Sequence, residues 1–490
     1  MRKMKKICFT LMSALLLVSS TLTAKASMPY DSYNFNYYGE EVLQPHTYLY
    51  TDSLTSAEFG TSLKYPSDMV IKNEMIYIAD TGNSRILVTD MTGKVVEEIK
   101  SADGKDDVLN GPQGLFVTDE GHIYVADSNN GRIVEYDEEF KYLRTIGRPV
   151  TTLVSDRVIY TPTKIVVDNA NRIYVIAYGI NMGLLEFNYD GEFQGFMGAA
   201  EVSVSKFTYI WKNYFATEAQ QIRMDTIVPT EYSNIYVDDE NFIYATINNL
   251  DEDDFMEKAD AIRRLNPTGV DVLRRLGNYE IIGDLNGRET HSSFCDVIST
   301  DYGCYFVLDD SLGKVFAYDY DGNSLFVFGK KGTKDGNVQK PSAIAFGKDE
   351  SEIYILDNIL GSVMKYEITE YGQHLLDALY LDDIGDAEGA NAEWMEVLKY
   401  NSNNEMAYIG LGKTFLTEGN YKQAMEYFKL GNSRKYYSKA FYYYRMELME
   451  NNFSKIMLAI GGLIVLVIVI KAIFKFRRWV GDVKCFMLNR

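Results

Sequence analysis

Between Pro112 and Tyr136 the chain reads PQGLFVTDEGHIYVADSNNGRIVEY. Three short apolar strands can be recognised in this stretch, one after Pro112, one at Ile123–Asp127 and one at Arg132–Tyr136. A Ser-Asn-Asn-Gly turn separates the second strand from the third. Alternating apolar residues bounded by Asn- and Gly-rich corners are typical of antiparallel strands joined by tight turns, and the alternation predicts one buried face for each strand pair.

The same pattern recurs along the chain. Its copies open at positions 66, 112, 162, 232, 294 and 341, with Pro in four of them and an aromatic residue, Tyr232 or Phe294, in the other two. Successive openings are 46, 50, 70, 62 and 47 residues apart, and the three short spacings are blade lengths of β-propellers. Six sheets arranged radially leave no long free edge. The sequence therefore predicts an all-β six-bladed propeller.

The recurring motif is Pro-x-x-Ile-x-Val followed by Ile-Tyr-Val-Ala-Asp-x-x-Asn-x-Arg-Ile, and it resembles the NHL-repeat family of six-bladed propellers. The resemblance covers residues 40–368 and is most specific in the first two copies. It implies that an N-terminal strand at Tyr48–Ser53 closes the ring by completing the last blade.

Two long spacings predict insertions. Residues 199–231 contain Tyr209, Trp211 and Phe215 and, with Thr217 as a helix N-cap, predict a helical hairpin. Its aromatic residues are either a plug packed on the blades or a partner-binding surface. The second insertion, Ile247 to Asp260, is acidic but lacks the spacing of a calcium loop, which favours a solvated loop.

After the propeller the apolar period becomes helical. The positions Tyr408, Leu411, Gly412, Phe415, Gly419, Tyr421, Ala424, Phe428 and Gly431 follow the spacing of a tetratricopeptide (TPR) repeat. Residues Tyr371 to Asn401 resemble a degenerate copy. Residues 371–450 are therefore predicted to form TPR-like helices, with a last helix from Tyr436 to Met449 supporting them.

Both ends of the chain indicate a membrane protein. Residues 1–26 combine positive charges, an apolar run and Ala24-Lys25-Ala26, as in a signal peptide. Residues 456–474 are long and apolar enough to span a bilayer, and the basic segment 475–490 behind them predicts a cytoplasmic tail. We expect a single-pass protein of the cell membrane with its N-terminal part outside.

Charge and cysteine content narrow the possibilities. The formal net charge of −20 becomes −30 when residues 1–26 and 471–490 are left out, so nucleic acid is not an expected partner. Of four cysteines, only Cys295 and Cys304 belong to the predicted outer part. The blade alignment puts them at opposite ends of one strand, too far apart for a disulfide, which predicts two free thiols.

The blade register also points to a candidate binding site. In the family, the residue two after each opening position faces the mouth of the central channel. Here Asp68, Lys164, Asn234 and Asp296 occupy that position, with Gly114 and Ala343 in the remaining blades. They are suited to a polar ligand or, through oxygen ligands, to Ca²⁺. Alternatively, the two carboxylates only accept backbone N–H groups at strand starts.

Catalytic motifs are not recognised in the sequence. His46, His122, His291 and His374 are expected in separate places, which disfavours a shared metal centre, and no catalytic residue or resident cofactor is assigned. The aspartates Asp80, Asp127, Asp309 and Asp357, with Arg85 and Arg132, are interpreted as pairs between blades.

Three functions are compatible with these observations. In the first, the propeller recognises a glycan or peptide, and the TPR-like helices dock a protein partner in the membrane or at the cell surface, such as a transporter. In the second, a divalent metal at the channel mouth supports a lactonase or another hydrolase. In the third, the propeller is a passive spacer. A fold alone does not decide among them.

Overall fold

The computed structural model describes residues 28–104, 106–151, 153, 154, 158–180, 182–198, 232–248, 260–279, 281–284 and 291–488, with side chains up to residue 481. The predicted signal peptide, the helical hairpin at 199–231 and most of the acidic loop lie outside these residues. The chain divides into two compact units, Met1–Leu376 and Asp377–Arg490.

The first unit is built from short antiparallel strands. They are β1 (Tyr33–Phe35), β2 (Glu41–Leu43), β3 (Tyr48–Leu54), β4 (Asp68–Lys72), β5 (Met75–Asp80), β6 (Arg85–Asp90), β7 (Val95–Ile99), β8 (Gly114–Val117), β9 (Ile123–Asp127), β10 (Arg132–Tyr136), β11 (Tyr142–Ile146), β12 (Thr161–Val167), β13 (Ile173–Tyr178), β14 (Leu184–Phe187), β15 (Phe193–Met197), β16 (Asn234–Val237), β17 (Ile243–Thr246), β18 (Ile262–Leu265), β19 (Phe294–Ser299), β20 (Tyr305–Asp309), β21 (Lys314–Tyr318), β22 (Ser324–Phe328), β23 (Pro341–Phe346), β24 (Glu352–Asp357) and β25 (Ser362–Ile368). A short helix α1 (Ser56–Phe59) follows β3.

These strands form six sheets, one for each predicted blade. In chain order the sheets are β4–β7, β8–β11, β12–β15, β16–β18, β19–β22 and β23–β25. The last sheet is completed by β3, which pairs with β25 from Leu54 opposite Val363 to Tyr48 opposite Ile368. The six-bladed propeller and its closure by the N-terminal strand are confirmed.

One N-terminal feature was not predicted. The hairpin β1–β2 adds to the outer edge of the fifth blade, where Tyr33 pairs with Val327 of β22. The Tyr33 hydroxyl also donates to Asp284, which accepts a second hydrogen bond from Lys314 at 2.8 Å. The hairpin thereby covers an edge that would otherwise present unpaired backbone groups.

The middle strands of the blades are buried on both faces. Every residue of β9 and of β20 is buried, so the prediction of one buried face was wrong for these middle strands, whereas the outer strand β11 does alternate between partly buried and exposed residues. The reason is radial packing, because each blade lies between two others and leaves little solvent-facing area. The tyrosine that recurs in the second strand is at most 2% exposed in all six blades: Tyr77, Tyr124, Tyr174, Tyr244, Tyr305 and Tyr354.

The Asp–Arg pairs lie within blades, which corrects their assignment as contacts between blades. Asp80 and Arg85 are directly opposite each other in the β5–β6 hairpin, with Arg85 Nε 2.8 Å from Asp80 Oδ2. Asp127 and Arg132 repeat this arrangement in the second blade at 2.7 Å. The five-residue spacing brings them together because it spans a single tight turn. Neither Cys295 nor Cys304 forms a disulfide in the part of the chain that the structure describes.

The second unit is helical. Its elements are α2 (Glu370–Asp383), which begins within the first unit, α3 (Ala387–Tyr400), α4 (Glu405–Thr417), α5 (Tyr421–Leu430) and α6 (Arg434–Leu488). Small residues permit close packing, since a Cβ added at Gly412 would lie 2.6 Å from the Phe428 ring. The helices are present where expected; their TPR-like character stays a prediction.

The C-terminal helix α6 is longer than predicted. Sequence reasoning placed a helix at Tyr436–Met449 and a separate span at 456–474, but the structure joins them in one helix. No Gly or Pro stands between Met449 and Ile456 to interrupt it. Of the described helices, this one is long and apolar enough to cross a membrane, with a mean hydropathy of 2.9 in its most apolar window.

Candidate binding site at the channel mouth

The first strands of the six blades line a central channel. They are β4, β8, β12, β16, β19 and β23, and they enclose a cavity of about 420 Å³. Because each strand begins at the same end of the channel, residues at equivalent positions converge there. Asp68, Lys164, Asn234 and Asp296 all line the cavity at that end. We call these four residues the polar ring, and the face of the propeller on which they lie the mouth face.

One half of the polar ring is a buried ion pair. Lys164 Nζ lies 2.8 Å from Asp68 Oδ1, and the two side chains are 12% and 10% exposed. Asp68 Oδ2 accepts a hydrogen bond of 2.9 Å from the backbone N–H of Leu115 in the second blade. Asp68 thus links the first, second and third blades.

The intervening second blade makes this link possible. It carries Gly114 at the ring position, and a Cβ there would lie 2.4 Å from the carbonyl oxygen of Thr163 and 2.9 Å from Cα of Lys164. Backbone atoms of the third blade therefore occupy the space that a side chain would need. Without that close approach the Lys164 side chain would start farther from Asp68.

The other half of the ring links the fourth, fifth and sixth blades. Asn234 Nδ2 donates to Asp296 Oδ1, which also accepts from the backbone N–H of Val297. Asp296 Oδ2 accepts from the backbone N–H of Ile344 in the sixth blade at 2.8 Å. Both aspartates thus accept backbone N–H groups, as one of the two sequence interpretations proposed, and each of them bridges to the following blade.

The two carboxylates differ in their electrostatic surroundings. Burial raises the pKa of Asp296 to about 7, whereas the charge of Lys164 and the backbone N–H groups of Ile344 and Val297 act in the opposite direction. The charge of Asp68 adds to the increase. Asp68 is paired directly with the cation Lys164, whereas the partners of Asp296 are an amide and backbone N–H groups. Asp296 can therefore change its protonation state near neutral pH.

The opposite end of the channel is acidic, which sequence reasoning missed. Asp119, Asp239 and Asp301 lie in the turns that follow first strands, and Lys72 forms an exposed ion pair with Asp119 at 2.5 Å. A hydrogen bond shared with Asp301 raises the pKa of Asp239, and partial burial adds to the effect. The recurrence of Asp two residues after the end of the first strand was a usable signal for this cluster.

The histidines and the candidate partner-binding aromatic residues are not part of the polar ring. The His122 ring is 3.0 Å from Glu135, and His46 Nδ1 is 2.9 Å from the Ser32 hydroxyl. No three His, Cys, Asp or Glu side chains in the part of the chain that the structure describes are arranged to hold a metal ion. The candidate partner-binding residues Tyr209, Trp211 and Phe215 fall outside the described residues.

The mouth face also exposes apolar side chains. Loops that enter first strands, and turns between second and third strands, both lie on this face because the strands alternate in direction. Among the residues that the structure describes, nine large apolar side chains that are at least 41% exposed lie in these loops and turns or, for Tyr178, at the adjoining strand end: Tyr65, Val108, Val150, Leu153, Ile159, Tyr178, Met182, Ile359 and Leu360. The loops of adjacent blades contact each other; for example, Asn358 Nδ2 donates to the Pro66 carbonyl at 2.9 Å.

Comparisons with known proteins agree with the repeat pattern. A family model of the NHL repeat matches residues 109–136. The NHL repeat-containing protein 2 of Gallus gallus is 34% identical over 108 residues, which are 20% of this chain and 14% of that protein. The chain therefore matches only about a seventh of the length of this curated relative.

Similar solved structures have low sequence identity. A streptogramin B lyase has a TM-score of 0.42 at 10% identity, covering 66% of this chain and 98% of its own. Virginiamycin B lyase of Staphylococcus aureus has a TM-score of 0.40 at 12% identity, covering 66% and 100%. A protein of unknown function from Bacteroides thetaiotaomicron has a TM-score of 0.41 at 12% identity, covering 69% and 76%. From its sheets and its matched repeat, the chain is a six-bladed β-propeller that carries an NHL repeat in its second blade.

Proposed function

We propose that this chain is a membrane-anchored binding protein of the cell surface. Its propeller binds a peptide or glycan on the mouth face, and its C-terminal helices dock a membrane partner such as a transporter. The observation that carries the proposal is the composition of the mouth face, which combines a polar ring with nine exposed apolar side chains. Exposed apolar residues concentrated on one face are typical of interaction sites.

The polar ring is suited to recognition rather than to turnover. Asp68 and Asp296 already accept hydrogen bonds on all four carboxylate oxygens, from backbone N–H groups, Lys164 and Asn234. A divalent metal would have to replace these donors before it could activate water. The hydrolase alternative therefore requires a rearrangement of the ring, whereas the binding proposal does not.

The exposed side chains favour a peptide over a glycan. Aliphatic and thioether side chains outnumber the two tyrosines among the nine, and they offer apolar area without hydrogen-bonding groups. Val150 is 97% exposed and Ile159 is 80% exposed, so both are available for burial against a partner. An extended peptide or protein loop with apolar side chains fits this chemistry.

Position-specific crosslinking of the full-length protein in cells tests the proposal. A photo-crosslinking amino acid replaces Tyr65 or Tyr178 on the mouth face. Tyr189 and Tyr320 in turns on the opposite face, 55% and 44% exposed, provide matched controls. We expect one crosslinked product from the mouth positions and none from the controls. Equal products from both faces, or none from the mouth face, would refute the binding proposal.

A competition experiment separates the two ligand classes. Ile159→Asp introduces a charge on the mouth face and leaves the polar ring unchanged. A peptide-binding face should lose the crosslink at Tyr178 in this variant. A crosslink that persists and is instead displaced by free oligosaccharide would identify a glycan ligand.

A further inference from the structure

The extramembrane part of α6 has two apolar sides. On one side, Ala440 is fully buried, the Tyr436 ring stacks on Phe428 with centroids 5.4 Å apart, and Tyr443 stacks on Tyr421. This side packs against the other helices of the second unit. The exposed side opposite consists of Tyr442, Met446, Met449, Phe453 and Ile456, which are between 42% and 62% exposed, and Tyr437, Phe441 and Leu448, at 36% to 43%, lie between the two sides. We call the five residues Tyr442, Met446, Met449, Phe453 and Ile456 the α6 stripe.

The α6 stripe has coiled-coil spacing. Its members are separated by four, three, four and three residues, the alternation of a and d positions in a heptad. At about 100° per residue, the mean direction of the stripe is roughly 160° from Ala440, so the packing of the second unit leaves it uncovered. The same spacing continues through Ile460, Leu463, Val467, Ile470 and Phe474 into the predicted span.

The charges beside the stripe match a second copy of the helix. With Met446 at position a and Met449 at position d, Arg445 occupies g and Glu450 occupies e. In a parallel coiled coil, the g residue of one helix faces the e residue five positions later on the other. Arg445 of each copy therefore faces Glu450 of the other, which gives two complementary pairs per dimer.

Membrane insertion favours the parallel arrangement. If α6 crosses the bilayer, all copies enter it from the same side, so their helices are parallel and their stripes lie at the same height. A second copy then meets the stripe in register without further adjustment. We propose that two copies of this chain associate through the α6 stripe as a parallel coiled coil that continues into the membrane. This inference rests on α6 as a membrane span and not on ligand binding by the propeller.

Site-specific crosslinking of the full-length protein in its membrane tests the interface. Met449→Cys places a thiol at position d, and Asn451→Cys places one at the outward position f of the same heptad. After treatment with a short bis-maleimide, we expect at least about five times more covalent dimer from Met449→Cys than from Asn451→Cys. The background yield of the unsubstituted chain is subtracted from both. Equal yields, no dimer from either variant, or a product whose mass is not that of two copies would overturn the proposal.

A charge exchange supplies the second readout. Arg445→Glu and Glu450→Arg each place like charges opposite one another, so each should lower the dimer fraction roughly three- to tenfold. The double variant R445E/E450R restores opposite charges and should restore the dimer. A double variant that stays as weak as the single variants would overturn the proposed register. Stronger crosslinking from Leu448→Cys than from Met449→Cys would place the interface on another side of α6 and would also overturn it.

Discussion

Removing the charge of Lys164 tests whether the polar ring holds the blades together. In Lys164→Met the aliphatic stem remains, but Asp68 loses its cation while staying about 10% exposed. Its carboxylate then keeps only backbone donors, those of Leu115 in the second blade and of Met69. The third blade is no longer connected to the first through this side chain.

The magnitude follows from the burial of the pair. Breaking a buried ion pair by removing one partner costs about 3 to 5 kcal/mol because the remaining charge is uncompensated. The adjoining channel gives some access to water, so we expect a loss near the lower limit, about 3 kcal/mol. In a domain of this size that corresponds to a melting temperature lower by roughly 4 °C. Adding Asp68→Asn to Lys164→Met removes the unpaired charge and should recover about half of the loss.

Thermal unfolding of the full-length protein in detergent, followed by tryptophan and tyrosine fluorescence, measures this effect. Lys72→Met is the matched control, because Lys72 also lies in a first strand and pairs with Asp119, but the two side chains are 39% and 73% exposed. An exposed pair contributes at most about 1 kcal/mol. If Lys164→Met melted at the same temperature as Lys72→Met, the polar ring would not connect the blades as argued.

Three further predictions concern buried positions. The unfolded chain releases the Asp296 proton near the ordinary pKa of 3.8, whereas the folded chain releases it near 7. The wild type should therefore lose stability relative to Asp296→Asn as the pH rises from 4 to 7, by an amount on the order of 4 kcal/mol, and the difference should be nearly constant at higher pH. Denaturant titrations at pH 4, 5.5, 7 and 8 measure this difference. Gly114→Ala should lower the melting temperature because its Cβ would lie 2.4 Å from a backbone carbonyl of β12, whereas Gly195→Ala in β15, with no atom within 4 Å of its Cβ, should melt like the wild type. Gly410→Ala would drive a Cβ to 2.2 Å from the Trp394 indole nitrogen, so limited proteolysis should cleave the helical unit of this variant faster than that of the wild type.

The positions of equivalent residues in the repeats could be predicted from the sequence. The residues two after each blade opening were predicted to meet at the channel mouth, and Asp68, Lys164, Asn234 and Asp296 line the same cavity. This succeeded because a repeated blade places equivalent residues at equivalent heights around one axis. Ligand binding by these residues stays a prediction.

Contacts across the ring could not be derived in this way. That Lys164 pairs with Asp68, two blades away, depends on the absence of a side chain at Gly114 and on how closely the third blade approaches it. The acidic cluster at the other end depends likewise on turns from different blades meeting around one channel. In both cases the distance between blades decides the contact, and no spacing along the chain encodes that distance.

The resemblance to NHL repeats implied the strand that closes the ring, and the amino-acid pattern by itself determined the number of blades, the separation of Cys295 from Cys304 along one strand and the position of an apolar C-terminal segment. These are local or periodic properties, set by alternation, turn residues and hydrophobic length. Only the tertiary structure decided which faces of the strands are buried, which charges pair, and that α6 continues without interruption from the helical unit into the predicted span. Those features depend on side chains that are distant in sequence and on the space that neighbouring blades and helices leave between them.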